Sequence, residues 1–135
     1  MDVIALMGES NVGKTQTLNI LYSLLLANDY TQVLGHFQDH KNNDFMDILE
    51  KGGVRIGIAT QGDYSRELPK YLSYLSNNGC IKAVCACTTD KKGTINAVNA
   101  YRNIPIPPKS KESNDFLQRI VNTNDALHIL TEILK

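Results

Sequence analysis

The chain has 135 residues, a length typical of one compact domain, and 42% of them are apolar, which is enough for a hydrophobic core. Its 14 basic and 14 acidic residues balance, and this argues against nonspecific binding to nucleic acids or membranes as the main function, because both usually require a basic excess. There is no apolar run of about 18 residues to predict a membrane span. The N-terminus lacks the basic region of a secretory signal, so we expect a single cytoplasmic domain over residues 1–135.

The first half of the chain alternates apolar runs with helical patterns. Residues 3–7 predict a strand buried on both faces, and residues 14–27 predict a helix with an apolar stripe. Residues 31–37 predict a second strand, broken by Gly35. A polar loop follows and leads into a short predicted helix over residues 45–51, which ends at the glycine pair 52–53.

The second half continues the alternation. Residues 54–60 and 81–87 predict two further strands. Between them, apolar spacing through Leu75 predicts a helix with Pro69 in its first turn, and Thr94 is suited to cap the next helix. The remaining segments are an edge strand or extended segment over 104–108 and two helices over 115–121 and 125–134.

This alternation predicts an α/β fold with about five mainly parallel strands and helices on both faces of the sheet. Ligands of such sheets bind outside the carboxyl ends of the strands, where Gly8, residues 61–63 and residues 88–93 would converge. The three cysteines, at positions 80, 85 and 87, have no C-x-x-C spacing and predict reduced thiols in the core. A redox or metal role is the alternative for them.

Residues 8–15 carry a motif whose chemistry is recognisable. They read Gly-Glu-Ser-Asn-Val-Gly-Lys-Thr and match G-x-x-x-x-G-K-T, with a strand predicted before the motif and a helix after it. Backbone amides of a tight loop offer convergent donors to phosphate oxygens, and Gly8 and Gly13 permit the backbone conformations this requires. Lys14 brings positive charge to the terminal phosphates, and Thr15 offers a hydroxyl to magnesium. The alternative is a glycine turn that matches by chance.

On these eight residues and their strand–loop–helix frame, the sequence resembles small stand-alone members of the P-loop nucleoside triphosphatase superfamily. The resemblance implies a three-layer P-loop sheet that binds a nucleoside triphosphate, ATP or GTP, with Mg²⁺. It also implies that Lys14 is catalytic. The residues it assigns to nucleotide binding are Gly8, Glu9, Ser10, Asn11, Val12, Gly13, Lys14, Thr15 and Gln16.

The resemblance implies a second acidic residue that helps to hold magnesium, at the end of another strand. We expect Asp63 to be this catalytic and metal-binding acid, with Thr15 as the direct metal ligand. Asp63 departs from the usual pattern, because Thr60, Gln61 and Gly62 separate it from the apolar run. A helix cap is the alternative role for Asp63, and the two roles are compatible.

The loop after the fourth predicted strand offers candidates for sensing the terminal phosphate. Thr88 and Thr89 end that strand, where related ATPases place a polar sensor, and a capping pair is the alternative. Asp90 and Gly93 match the short D-x-x-G string of GTPases, but this string follows the fourth strand rather than the third. The guanine-reading N-K-x-D motif is absent, so we expect adenine to be the preferred base.

The polar segment over residues 36–47 contains a second group of candidate ligands. His36 and His40 are four residues apart, a spacing that suits one helical face, and Asp39 and Asp44 lie near them. A metal site is one interpretation. A substrate-facing loop beside the phosphate site and a solvated loop are the alternatives.

Two functions follow from the resemblance. The first is a minimal ATPase or nucleotide switch that works slowly until a protein partner or second subunit assists it, because no glutamate adjoins Asp63 and only Arg66 is expected near the site. The second is a small-molecule or nucleotide kinase, although residues 90–108 hold only Arg102 where kinases usually carry an arginine-rich lid. A module that binds nucleotide without turnover is the third alternative.

Overall fold

The strand that precedes the glycine motif lies inside the sheet, between two parallel neighbours. A computed structural model describes residues 1–61, 66–109 and 111–135, with the backbone alone of Asn42. Within these residues one mixed sheet contains seven strands: β1 (Asp2–Gly8), β2 (Thr31–Gln32), β3 (Gln38–Asp39), β4 (Phe45–Lys51), β5 (Val54–Ala59), β6 (Cys80–Thr88) and β7 (Arg102–Asn103). The strand order is β2-β4-β5-β6-β1-β7, and β3 pairs with the start of β4.

Strand direction decides which residues meet at the edge of the sheet. β5, β6, β1 and β7 are parallel, so their carboxyl ends share one edge. β4 is antiparallel to β5, and therefore begins at the edge where β5 ends. As a result, Asp44, which precedes β4, lies beside Thr60, which follows β5.

Helices cover both faces of the sheet. Within the described residues they are α1 (Lys14–Ala27), α2 (Leu68–Asn77), α3 (Lys92–Asn99) and α4 (Asp115–Leu134), with a short 3₁₀-helix at Lys41–Asn43. Alternate strand residues face opposite layers: Ile4 and Leu6 pack in the core with α1 and α4, whereas Val3 and Ala5 pack in the core with α2 and α3. None of the helices in these described ranges is long and apolar enough to cross a membrane.

The α/β fold agrees with the prediction, but the sheet is mixed and has more strands than the expected five. The predicted helix over residues 45–51 is wrong, because this segment is β4. Gly52 and Gly53 have φ values of +59° and +79°, and Lys51 pairs with Val54. Two central residues with positive φ form the tight turn that joins antiparallel strands. The glycine pair is therefore a hairpin turn rather than the end of a helix.

Several other boundaries also differ from the predictions. Of the predicted strand over 31–37, only Thr31–Gln32 form β2, although the Val33 amide also donates to the Ile48 carbonyl at 3.0 Å; Gly35, with φ of +87°, lies at the predicted break. The two predicted C-terminal helices are one helix, α4. The polar residues between them do not end it, because their side chains find partners: Asn122 is buried and bonds to Gln16, and the Thr123 hydroxyl donates to a carbonyl one turn earlier. Thr94 does not cap α3, which begins at Lys92.

The segment after β7 stays extended beside β1, as predicted for residues 104–108. The backbone amide of Ile104 donates to the Val3 carbonyl at 3.0 Å, and that of Lys109 donates to the Met7 carbonyl at 2.7 Å. Prolines lie between these two bonds and have no amide hydrogen to donate. The segment thereby carries Lys109 to the carboxyl edge, next to Gly8.

A buried carboxylate fixes α1 against the sheet. The side chain of Asp47 on β4 has no solvent exposure and accepts hydrogen bonds from the Tyr22 hydroxyl of α1 and from Nε2 of Gln32, the latter at 3.0 Å. Its other carboxylate oxygen accepts the Ile48 amide at 2.8 Å. Burial and the bond to Asp47 raise the pKa of Tyr22. These contacts set the distance between α1 and β4, and so between Thr15 and Asp44.

We predict that the free energy of unfolding falls as the pH rises from about 9 to 11. All three thiols are buried in the core with α2 and α3. Burial raises the pKa of Cys80 to about 11, and raises the pKa of Cys85 and Cys87 above the ordinary value of 9.0. Above pH 9 a thiol ionises in the unfolded chain but stays neutral in the folded one until the pH reaches its raised pKa, so stability present below pH 9 is lost over that range. Each thiol contributes about 1.4 kcal/mol per pH unit.

Denaturant unfolding between pH 8 and 11 measures this loss. The control is Cys85→Ala, which removes one buried thiol, and its stability should fall with pH less steeply than that of the wild type by about 1.4 kcal/mol per unit. Equal slopes for the two proteins would contradict the prediction.

Candidate phosphate and metal site

The glycine motif forms a tight turn between β1 and α1. β1 ends at Gly8 and α1 begins at Lys14, while Asn11 and Gly13 have φ values of +63° and +92°. Asparagine and glycine adopt this left-handed region more readily than other residues. Gly13 is the N-cap of α1 and no side chain caps the helix among the described residues. The turn therefore offers the first amides of α1, and the positive end of its dipole, to an anion.

The Lys14 side chain folds back over this turn. The residue is only 7% exposed, and Nζ donates to the Gly8 carbonyl at 3.1 Å and to the Glu9 carbonyl. The ammonium is thus held by the loop itself. Gly8 in turn pairs with Thr88 at the end of β6, and the Thr89 amide donates to the Gly8 carbonyl at 3.1 Å. The two threonines predicted as sensors therefore border the start of the loop.

Helix α4 holds the loop from one side. The Gln118 side-chain amide donates to the Val12 carbonyl at 3.1 Å and to the Asn122 amide oxygen at 2.9 Å, and Asn122 donates to Gln16 at 3.2 Å. A Cβ atom at Gly13 would lie 2.7 Å from the Asn122 oxygen. The close approach of α4 therefore requires glycine here, in addition to the positive φ.

The segment after β7 closes the loop from the other side. A Cβ atom at Gly8 would lie 2.8 Å from Cγ2 of Val12 and 3.1 Å from the Lys109 carbonyl. The Lys109 side chain is fully buried, and its ammonium pairs with Asp125 of α4 at 2.9 Å. This ion pair joins the segment to α4. The sequence alone did not predict these supporting residues, which are Lys109, Gln118, Asn122 and Asp125. Most of their contacts link positions about 100 residues apart, and none belongs to a recognisable motif.

A cluster of three polar side chains, Thr15, Asp44 and Thr60, joins the start of α1 to the carboxyl edge of the sheet. The Thr15 hydroxyl donates to Oδ1 of Asp44 at 2.9 Å, and the Thr60 hydroxyl donates to the same oxygen at 2.8 Å. Thr60 is 1% exposed and its hydroxyl also accepts the Phe45 amide at 2.8 Å, which fixes its orientation. Within the described residues, no hydrogen bond reaches the second carboxylate oxygen of Asp44.

Asp44 therefore contacts Thr15, the threonine of the motif. Asp63 was the acid predicted to lie beside this threonine. Asp63 lies outside the described residues, so its predicted role stays a prediction. The spacing of Asp44 had grouped it with two histidines, whereas its contacts place it with Thr15 and Thr60. No group of three His, Cys, Asp or Glu side chains that could hold a metal occurs in the part of the chain described. One signal would have indicated Asp44: it directly precedes β4. Because β4 is antiparallel to β5, its first residues lie at the edge where β5 ends.

The two histidines contact α2 instead. Nδ1 of His36 lies 2.6 Å from the Tyr74 hydroxyl, and the His40 ring lies 5.4 Å from the Tyr71 ring. An open depression of about 700 Å³ adjoins this contact and is lined by Asp39, His40, Lys41, Gln61, Glu67 and Tyr71. Asp90 is exposed in a turn and Gly93 lies in the first turn of α3.

Comparison with known proteins adds no assignment. No family model matches the chain, and neither a curated protein nor a solved structure matches it.

We predict that Gly13→Ala destabilises the fold more than Gly79→Ala does. Both glycines have similar positive φ values, +92° and +82°, so both substitutions incur the cost of a left-handed alanine, about 1–2 kcal/mol. Only at position 13 does the added methyl meet other atoms; at Gly79 nothing lies within 4 Å. We expect an extra loss of about 1–3 kcal/mol for Gly13→Ala from this overlap.

Urea unfolding of the two variants measures the difference. Equal losses of unfolding free energy would mean that α4 does not hold the loop in solution as it does in this structure.

Proposed function

We propose that this chain binds a nucleoside triphosphate with Mg²⁺, prefers ATP over GTP, and hydrolyses it slowly as a minimal ATPase or nucleotide switch. The observation that carries the proposal is the pair of contacts around Thr15. Its backbone lies in the first turn of α1, directly after the glycine turn, and its hydroxyl bonds to the carboxylate of Asp44, which precedes β4. The preference for ATP rests on the missing guanine-reading motif.

The loop is suited to phosphate because its shape is already supported. α4 and the Lys109 segment pack against Gly13 and Gly8, so the backbone donors need little rearrangement on binding. A site that is organised before binding loses less conformational entropy when the ligand arrives. The Lys14 ammonium lies over the loop, where it can exchange its carbonyl partners for phosphate oxygens.

The donor set around Thr15 fits magnesium. Mg²⁺ prefers oxygen ligands and usually binds proteins through one or two carboxylates together with phosphates and water. Thr15 and Asp44 supply a hydroxyl and a carboxylate, and Thr60 orients the carboxylate. When bound, the ion would neutralise charge on the triphosphate.

A switch function follows from the same bond. Asp44 closes the short helix Lys41–Asn43, and its backbone carbonyl accepts the His40 amide at 2.8 Å. If Thr15 turns from Asp44 to a metal, residues 38–44 lose a bond that ties them to α1. The nucleotide state would then be transmitted to an exposed segment that a protein partner or a second subunit can contact.

A small-molecule kinase is the second candidate function. The open depression beside Asp44 favours it, because a phosphate acceptor needs a site next to the terminal phosphate.

We predict that Lys14→Met lowers ATP affinity at least tenfold while the protein stays folded. Methionine keeps the apolar stem but removes the charge that compensates the phosphates, and tenfold corresponds to about 1.4 kcal/mol. Calorimetric titration with magnesium and ATP measures the affinity. Lys51→Met, at the opposite end of β4, is the matched control and should bind as the wild type does. Affinity within about threefold of the wild type for Lys14→Met would count against the loop as the phosphate site.

We predict that Asp44→Asn removes most of the gain in ATP affinity that magnesium gives. Asparagine keeps the size of the side chain but lacks the negative charge that attracts the ion. The affinity is measured with magnesium and with a chelator, for Asp44→Asn, for Asp63→Asn and for Asp29→Asn. Asp29 follows the far end of α1, about 20 Å away along the helix, and serves as the control. If Asp63→Asn alone lost the magnesium effect, Asp63 rather than Asp44 would be the acid.

We predict that the purified chain releases phosphate from ATP at less than about one turnover per second. Enzymes that lack a positioned arginine are slower by about three to five orders of magnitude. Arg55 and Arg102 pair with Glu50 and Asp2 at the opposite edge of the sheet and so cannot reach the loop. Among the described residues, no hydrogen bond or ion pair joins the side chain of Arg66 or Arg119 to the loop. Turnover of tens per second at any protein concentration, without an acceptor, would show that the catalytic set is complete in one chain.

A further inference from the structure

The open depression beside Asp44 has the size of a small-molecule site. Its volume of about 700 Å³ lies within the range of about 300–1,000 Å³ that such sites usually have. Its walls come from the segment that contains β3, from the residue after Thr60 and from the start of α2: Asp39, His40, Lys41, Gln61, Glu67 and Tyr71.

The depression is lined by residues that adjoin the proposed metal site in the chain. The His40 amide donates to the Asp44 carbonyl at 2.8 Å, and the Asp44 amide donates to the Lys41 carbonyl at 3.2 Å. Gln61 directly follows Thr60, whose hydroxyl bonds to Asp44. A molecule in the depression would therefore lie close to Asp44, the residue whose carboxylate we assign to magnesium.

One wall of the depression is held in place and carries an unsatisfied polar atom. The Tyr71 hydroxyl donates to the Gln61 side-chain oxygen at 2.8 Å, and the His40 ring packs on the Tyr71 ring. Nε2 of His40 is buried and has no hydrogen-bond partner among the described residues. A buried polar atom without a partner costs about 1–3 kcal/mol, and because Nε2 is closed to solvent here, a ligand hydroxyl could bond to it only after the ring moves.

The charges of the lining select against a phosphorylated ligand. Asp39 and Glu67 are acidic and Lys41 is the one basic side chain among the described residues of the lining. None of the four arginines of the chain belongs to this lining. Recognition of a phosphate usually relies on arginine or on several cations. Carboxylates, an amide and an imidazole instead suit the hydroxyl groups of an uncharged molecule.

We propose that the depression binds an uncharged sugar or polyol and presents one of its hydroxyl groups to the terminal phosphate of ATP. The proposal rests on the proposed function of the neighbouring loop. A bond forms between the acceptor oxygen and the terminal phosphorus, and the bond from that phosphorus to the bridging oxygen of ADP breaks. The hydroxyl proton passes to the carboxylate of Asp39 or Glu67, so ATP and an alcohol give ADP, a phosphate monoester and a proton.

The test measures phosphoryl transfer from ATP labelled at its terminal phosphate to matched pairs of acceptors, with the full chain and magnesium. The pairs are ribose with ribose 5-phosphate, and glucose with glucose 6-phosphate; glycerol and inositol are added as further uncharged probes. Calorimetry first establishes whether ATP binds. We expect labelled product from at least one uncharged acceptor, at a rate at least tenfold above that for its phosphorylated counterpart.

Two variants connect the activity to the depression. Glu67→Gln and His40→Ala should each lower transfer to the sugar or polyol at least fivefold while ATP affinity stays within about threefold. Tyr74→Phe is the control, because Tyr74 bonds to His36 outside the lining, and it should leave both quantities unchanged.

The outcomes separate the two proposals. If ATP does not bind, the proposed function of the loop fails, and the acceptor site fails with it. If ATP binds but label appears only as free phosphate with every probe, the acceptor site is wrong and the ATPase proposal stands. Preferential transfer to the phosphorylated members of the pairs would also overturn the proposal.

Discussion

The hydrogen bond between Thr15 and Asp44 connects the two parts of the molecule on which its function depends. Thr15 belongs to the glycine motif, and Asp44 reaches it from a position 29 residues later in the chain. The contact exists because β4 runs antiparallel to β5, which brings the start of β4 to the edge where the parallel strands end. Had β4 been parallel to β5, Asp44 would lie at the opposite edge of the sheet, away from Thr15. The direction of one strand therefore decides which acid can assist the loop.

The rest of the structure keeps this edge in shape. Inside the core, Asp47 ties α1 to β4 by accepting the Tyr22 hydroxyl, about two helical turns along α1 from Thr15. α4 and Lys109 confine the two motif glycines, and the buried ion pair of Lys109 and Asp125 joins those two supports. Removing the Asp125 carboxylate is expected to be costly, because it leaves the buried Lys109 ammonium without its counter-charge. The loop is thus held by contacts that are spread over the whole chain.

Local patterns predicted the local part of this arrangement. The glycine motif, α1 and the extended segment before Lys109 follow from residue types within a few positions of each other, and the structure agrees with the predicted bounds of α1. Residues 45–51 were misassigned because Phe45, Ile48 and Leu49 have helical spacing. The Gly52–Gly53 hairpin and pairing with β5 override that spacing, since every residue from Phe45 to Leu49 is buried between layers. Asp44 and the supports of the loop depend on such distant pairings, which a single sequence does not reveal.

The most direct test of the account is a crystal structure of the chain with magnesium and a non-hydrolysable ATP analogue. The account predicts that the triphosphate lies in the turn from Gly8 to Thr15, that the ion contacts the Thr15 hydroxyl, and that Asp44 faces the ion directly or through one water. A triphosphate bound away from this turn would contradict the account, as would an ion at Thr15 that Asp63 alone faces while Asp44 turns away.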